Sequence, residues 1–218
     1  MTTPEGSAQK RFSIIDSGTA KPARSRGLAS DIAHWVGSAY LRVTGWKMRG
    51  DWPNFDKVVL VAAPHTSNWD GINMLAAAAY YRVKLRWMGK ESLTKGPFGG
   101  IVKWLGCVPI NRSASHDVVN AMRDAFARED ALVLAIPPEG TRSLNPNWKT
   151  GFYFIAHKAE VPIMMSVLDY GTKTISLAAV LIPDGDLESD MALIKGCYAS
   201  AVGKYPDQFG LGLDKPSI

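Results

Sequence analysis

The sequence predicts a single α/β domain with a mixed, largely parallel sheet flanked by helices. Continuous apolar, β-branched stretches at 58–63 and 131–136 are typical of buried strands, and stretches with helical periodicity separate them from their neighbours. Strands that alternate with helices favour a sheet covered by helices, with functional turns at the strand ends. The 218 residues, 46% of them hydrophobic, give one domain enough chain for a sizeable core.

The N-terminus carries the excess of positive charge. Residues 1–50 hold eight Lys and Arg against three acids, whereas the remainder balances, so this part accounts for the net charge of +5. Residues 1–27, with scattered Pro, Gly and Ser, are interpreted as a flexible basic tail and not as a signal peptide. Charge alone suits an anionic membrane, a nucleic acid or plain solvation; without a nucleic-acid motif, we expect no nucleic-acid partner.

Residues 28–218 form the predicted domain, and 28–50 supply an N-terminal amphipathic helix and its connector. The apolar residues of this helix share one face: Leu28, Ile32, Trp35, Val36, Ala39 and Val43. That stripe packs either on the core or at a membrane interface, which Trp and Tyr favour. No apolar run reaches the roughly 18–20 residues that cross a bilayer, so we expect a peripheral protein.

The remaining pattern alternates between the two kinds of element. We expect strands at 83–88, 107–111, 161–168 and 174–182, and helices from 71 to about 81, from 115, at 152–159 and from 187 to about 204. Two cysteines do not form a disulfide framework, and four scattered histidines have no zinc spacing. We therefore expect no metal and no bound cofactor.

A histidine and a carboxylate frame the turn that follows the first predicted strand. His65 and Asp70 are five residues apart, which on one helix would separate them by roughly 140°. Thr66, Ser67 and Asn68 favour a turn that would bring them together. Such a pair is either structural or a general base, because the carboxylate orients the imidazole. Ser67 is interpreted as a turn residue.

Four segments between residues 65 and 163 resemble the glycerol-3-phosphate and lysophosphatidate acyltransferase family in content and order. They are His65 to Asp70, Gly106 to Arg112, Glu139 to Ser143, and Val161-Pro162-Ile163. Pro64, Asn111 and Met165 depart from the family's usual residues and leave the acceptor open. The last segment is associated with the acyl substrate in the family, and an ordinary core strand is the alternative.

The resemblance implies roles for particular residues. His65 and Asp70 would be catalytic, and the acceptor's phosphate would be bound by the second and third segments, at Arg112, Glu139, Gly140, Thr141 and Arg142. Arg suits this role because it binds phosphate with two hydrogen bonds, although an Arg–Glu surface pair is the alternative. Lys90 and Lys149 are weaker candidates for contact with the anion, and for each a solvated surface lysine is the favoured alternative.

The resemblance implies an O-acyltransferase of phospholipid biosynthesis. It would move a fatty acyl group from acyl-CoA or acyl-carrier protein to a lysophospholipid, foremost 1-acyl-glycerol-3-phosphate. Alternatives are another lyso-lipid such as lyso-ornithine lipid, a CoA-independent transacylase, or a non-catalytic lipid-binding protein. The absence of a Gly-x-Ser-x-Gly motif argues against a serine hydrolase. The expected location is the cytoplasmic face of an anionic membrane.

Overall fold

A computed structural model describes residues 11–15, 27–110 and 115–212 of the chain. Eight strands form one mixed sheet with helices on both of its faces, which confirms the predicted α/β architecture.

The strands have the following bounds: β1 Phe12–Ile14, β2 Lys47–Arg49, β3 Lys57–Ala63, β4 Leu85–Lys90, β5 Cys107–Ile110, β6 Leu132–Ile136, β7 Ile163–Asp169 and β8 Thr174–Leu181. The helices are α1 Leu28–Val43, α2 Asn68–Tyr80, α3 Ser92–Lys95, α4 Gly99–Trp104, α5 Ser115–Arg128, α6 Gly151–Ala159 and α7 Leu187–Gly196, with a 3₁₀ turn at Pro206–Gln208.

The order of the strands decides which turns meet. The sheet runs β1-β8-β7-β3-β6-β4-β5, with β2 also paired to β8. Strand β3 is central and runs parallel to both of its neighbours, β6 and β7. The carboxyl ends of these three strands therefore lie at the same edge of the sheet, which is where open α/β sheets place their sites. The turns after β3, β6 and β7 carry His65, Glu139 and Tyr170, respectively.

The core has two halves because strand side chains alternate between the faces of the sheet. Val59 and Val61 of β3 join a cluster with Phe126 of α5 and Phe152 of α6. The intervening Val58 and Leu60 join a cluster on the other face with residues at the end of α2, among them Ala78 and Tyr81. Burial on both faces explains why β3 is a continuous apolar run.

Helix α1 has the predicted bounds, and its apolar stripe faces outward. Trp35 is 71% exposed and Val36 is 65% exposed, so the alternative in which this stripe packs on the core is wrong. The opposite face lies on α2, where a Cβ at Gly37 would come within 2.8 Å of the Ala76 carbonyl oxygen. Only glycine allows so close a crossing of the two helices.

The structure differs from the sequence-based expectation at both ends. Phe12–Ile14, within the segment expected to be a tail, is strand β1 and pairs with the edge of β8. The last helix was expected to reach residue 204 but ends at Gly196. Tyr198 explains the early end, because its ring is fully buried and its hydroxyl donates to the Val61 carbonyl 2.8 Å away.

Candidate active site

The turn between β3 and α2 brings His65 and Asp70 together. His65 Nδ1 lies 3.3 Å from Asp70 Oδ2, as the spacing and the turn residues predict. Asp70 is in the first turn of α2, and the Ser67 backbone N–H donates to it as in a capping box. Because Nδ1 faces the carboxylate, the Nε2 atom of the half-buried His65 ring is left to accept a proton.

Asp70 is held by more hydrogen bonds than the His65 contact requires. The backbone N–H groups of Thr66 and Ser67 each donate to Oδ2 at 2.7 Å, and Ser67 Oγ donates to Oδ1 at 2.7 Å. Burial tends to raise the pKa of Asp70, but hydrogen bonds from His65, Tyr170 and Ser67 outweigh it, so the pKa is lowered. The carboxylate is therefore ionised at neutral pH and can orient His65.

Ser67 does not have the setting of a nucleophile. Its side chain is buried, and its hydroxyl points at the Asp70 carboxylate. This agrees with its interpretation as a turn residue and gives the hydroxyl a further task, because it fixes one oxygen of Asp70.

Sequence reasoning missed Tyr170 and Asn73. The Tyr170 hydroxyl donates to Asp70 Oδ1 at 2.7 Å, and Asn73 Nδ2 donates to the Tyr170 hydroxyl oxygen at 3.1 Å. Burial, followed by the hydrogen bond to Asp70, raises the pKa of Tyr170, which keeps its proton. The available signals were a tyrosine directly after an apolar strand and an asparagine within an alanine-rich helix. Neither shows that β7 lies beside β3.

Glu139 lies beneath the site. Its side chain is 1% exposed, and Oε1 accepts a hydrogen bond from the His65 backbone N–H at 2.9 Å. Burial raises the pKa of Glu139, although backbone hydrogen bonds at Glu139 and His65 oppose the shift. In this structure Glu139 supports the backbone of His65, and its expected contact with the acceptor's phosphate stays a prediction.

Arg142 of the 139–142 turn and Lys149, which lies beside Gly140, present two cations to the apolar cavity that His65 borders. Arg142 and Lys149 both line it and are exposed, and the Arg142 guanidinium donates to Asn68 Oδ1 at the start of α2. Gly140 adopts a φ of +65°, and a Cβ there would lie 2.9 Å from the Lys149 side chain. The absence of a side chain at Gly140 therefore allows the Lys149 side chain to lie close to the backbone of the turn. Thr141 is exposed beside them and also lines the cavity.

For two predicted site residues the structure describes no side chain. Arg112 lies outside the described residues, so its expected approach to His65 stays a prediction. Lys90 is the last residue of β4, and its side chain also lies outside what the structure describes.

His65 and Asp70 border a cavity of about 890 Å³. Its lining is mostly apolar and comes from β3, β4, α2 and α6, for example Leu60, Met74, Leu75, Ala78, Leu85 and Phe152. The polar lining residues include the His65–Asp70 pair, Arg142 and Lys149. Such a cavity has room for a long apolar chain, with the His65–Asp70 pair and two cations in its polar part.

Within residues 11–15, 27–110 and 115–212, no group of three or more His, Cys, Asp or Glu side chains is arranged to hold a metal ion. Nor does any helix in these ranges have the length and apolar character needed to cross a membrane.

The fold and the site together define an α/β protein with a His–Asp pair at an apolar cavity. The chain belongs to the acyltransferase family, because the family model described as Acyltransferase matches residues 42–168. The crystal structure of the 1-acyl-sn-glycerophosphate (LPA) acyltransferase PlsC from Thermotoga maritima has a similar fold, with a TM-score of 0.52 and 16% sequence identity. That match covers 77% of this chain and 78% of the Thermotoga chain. No curated protein matches the sequence.

Proposed function

We propose that this acyltransferase moves a fatty acyl group from a thioester donor, acyl-CoA or acyl-carrier protein, to the hydroxyl of a phosphate-bearing lysophospholipid such as 1-acyl-glycerol-3-phosphate. The observation that carries the proposal is the position of His65 and Asp70 at an apolar cavity of about 890 Å³. The Thermotoga protein of similar fold is an LPA acyltransferase, which supports the same acceptor class.

The proposed reaction uses His65 as its general base. Nε2 removes the proton of the acceptor hydroxyl as the hydroxyl oxygen attacks the thioester carbonyl, and Asp70 stabilises the imidazolium that forms. The C–S bond then breaks, and the leaving thiolate takes the proton from the imidazolium. No acyl-enzyme forms, in keeping with the buried hydroxyl of Ser67 and its bond to Asp70.

The acceptor's phosphate would bind between the two cations beside this pair. Arg142 offers a guanidinium that can bind two phosphate oxygens, and Lys149 adds a second positive charge on the same cavity wall. The acyl chain would fill the apolar part of the cavity.

The test is a transfer assay with the purified chain. Acyl-CoA and acyl-carrier protein are each offered with lysophosphatidate, other lysophospholipids and lyso-ornithine lipid, and products are read by mass spectrometry. We expect lysophosphatidate to be acylated and His65→Ala to lower turnover by roughly 10²–10⁴-fold. A preference for the phosphate-free acceptor, or activity that survives in His65→Ala, would contradict the proposal.

We further propose that the outward stripe of α1 rests on the cytoplasmic face of an anionic membrane. The stripe offers Leu28, Ile32, Trp35, Val36 and Val43 to solvent, an unusual apolar surface for a helix that is not covered. A second exposed apolar group on and next to α4, formed by Phe98, Ile101 and Trp104, adds to the surface available for lipid. The basic N-terminal part would supply attraction to anionic headgroups.

Point substitutions test the membrane proposal better than truncation. Removing α1 would uncover the cluster that its other face forms around Leu41 and Ala77. The double variant Trp35→Ser with Val36→Ser leaves that face intact and should weaken co-sedimentation with anionic vesicles, whereas Ile182→Ser, at an exposed position beside β8, should not. Equal vesicle binding by both variants would refute this role for α1.

A further inference from the structure

A chain of hydrogen bonds joins the N-terminal helix to the catalytic carboxylate. The Tyr40 hydroxyl on α1 donates to Asn73 Oδ1 on α2 at 3.0 Å, and Asn73 Nδ2 donates to the Tyr170 hydroxyl at 3.1 Å. The Tyr170 hydroxyl in turn donates to Asp70 Oδ1 at 2.7 Å. Three elements, α1, α2 and the end of β7, thus converge on one oxygen of Asp70.

The charge on Asp70 fixes the direction of every bond in this chain. An ionised carboxylate only accepts, so Tyr170 must donate to it and take its own hydrogen bond from the amide nitrogen of Asn73. The amide oxygen of Asn73 is then left for the Tyr40 hydroxyl. Asn73 is 2% exposed, so water cannot easily replace these partners.

Tyr170 is itself held in place on two sides. Its backbone N–H donates to the Val202 carbonyl at 2.9 Å, and its ring packs edge-on against Trp46 with 4.9 Å between the ring centres. Asp70 lines the cavity whereas Tyr40, Asn73 and Tyr170 do not, so these three residues connect to the cavity through Asp70. A rigid tyrosine that touches the carboxylate and not the cavity is suited to orienting Asp70.

We propose that Tyr170 is a positioning residue for the His65–Asp70 pair. Tyr40 acts on Tyr170 through Asn73, so the position of α1 on α2 affects the orientation of the Asp70 carboxylate. This inference rests on the proposed function of the pair. Ser67 Oγ is the other side-chain donor to the same oxygen, so losing Tyr170 weakens the orientation of Asp70 without abolishing it.

The kinetic test compares Tyr170→Phe with wild type. We expect kcat to fall about tenfold, because a hydrogen bond to a charged group is lost, while KM for the donor and the acceptor stays unchanged. Tyr40→Phe should lower kcat about two- to threefold, because Tyr40 reaches Asp70 only through Asn73 and Tyr170. The double variant should be no slower than Tyr170→Phe alone, because the two hydroxyls act through one path.

Tyr153→Phe is the matched control. Its hydroxyl also donates to a buried carboxylate, Asp190, at 2.9 Å, but neither residue lines the cavity. Tyr153→Phe should therefore reduce thermal stability as Tyr170→Phe does while leaving kcat unchanged. A drop in kcat shared by both variants would mean that Tyr170 matters only for folding and would overturn the proposal.

A spectroscopic measurement tests the positioning without turnover. The ring Nδ1–H resonance of His65, assigned by its loss in His65→Ala, should shift in Tyr170→Phe, and more weakly in Tyr40→Phe, but not in Tyr153→Phe. An unmoved His65 signal, or additive kinetic effects of Tyr40→Phe and Tyr170→Phe, would refute the inference. If wild type acylates no acceptor, the proposed function fails, and the shift of the His65 signal still decides the positioning role.

Discussion

Replacing Asp70 by asparagine separates the charge of this residue from its shape. Asp70 accepts four hydrogen bonds of 2.7 Å, two on each oxygen, and Oδ2 also approaches His65. The amide oxygen of asparagine can keep the two backbone donors of the turn, and its NH₂ group then faces the Ser67 and Tyr170 hydroxyls, which can rotate to accept. We therefore expect Asp70→Asn to fold with the turn intact.

The cost of the substitution follows from these contacts. Hydrogen bonds to a charged group contribute about 1.5–3 kcal/mol each, against about 0.5–1.5 kcal/mol for neutral ones. Part of the difference is offset because a buried charge disappears, so we expect the free energy of unfolding to fall by about 2 kcal/mol near neutral pH.

The loss of stability should also depend on pH. The pKa of Asp70 is lowered in the folded state, so its contribution is complete above the unfolded value of about 3.9 and disappears as the pH falls through the folded pKa. The gap in the free energy of unfolding between wild type and Asp70→Asn should therefore close at acidic pH. Urea unfolding across this pH range measures it, and a gap that does not change with pH would refute the reasoning.

Turnover gives the second readout of the same variant. An amide cannot stabilise the imidazolium that forms when His65 removes a proton, so kcat should fall by roughly 10²–10⁴-fold with little change in KM for the acyl donor. Asp190→Asn is the matched control, because Asp190 is equally buried but does not line the cavity. Asp190→Asn should lower the free energy of unfolding and leave kcat unchanged. Near-normal turnover in Asp70→Asn would exclude the general-base mechanism.

Four further substitutions probe the surroundings of the site and the contact between α1 and α2. Arg142→Lys and Lys149→Ala should each raise KM for the acceptor about tenfold with kcat nearly unchanged, in steady-state assays that vary both substrates. Glu139→Gln should flatten the pH dependence of stability. Because burial raises the pKa of Glu139, this residue contributes less stability to the wild type as the pH rises above about 4.3, whereas glutamine does not titrate. Urea unfolding across this pH range measures the difference. Gly37→Leu should destabilise the fold by about 1–3 kcal/mol in thermal or urea unfolding, unlike Ala33→Leu on the exposed side of α1.

The sequence predicts the β3–turn–α2 unit well because the information is local. An apolar β-branched run, three turn-forming residues and the spacing of His65 and Asp70 lie within one short stretch, and the structure brings the two side chains together as expected. The bounds of α1 were predictable for the same reason. Which way its stripe faces was not, because periodicity identifies an apolar face without identifying what covers it.

The parts that sequence reasoning missed depend on the order of strands in the sheet. Tyr170 reaches Asp70 because β7 pairs with β3, and no pattern within either segment encodes that pairing. The segment after α7 illustrates the same limit. Instead of continuing the helix, it lies against the turn between β3 and α2. There the Tyr205 backbone N–H donates to Thr66 Oγ1 at 3.2 Å, and the Lys204 ammonium lies 5.0 Å from the Trp69 ring centre.

The contacts of Asp70 also explain why its separation from His65 in the sequence suits this chemistry. The backbone donors that start α2, from Thr66 and Ser67, end on the same oxygen that faces the His65 ring. A carboxylate one turn away from this position could not close the turn and meet the ring at once. The hydrogen bonds that begin the helix are therefore the ones that place the carboxylate against His65, the proposed general base. Any loosening of the turn should consequently appear in kcat before the domain unfolds.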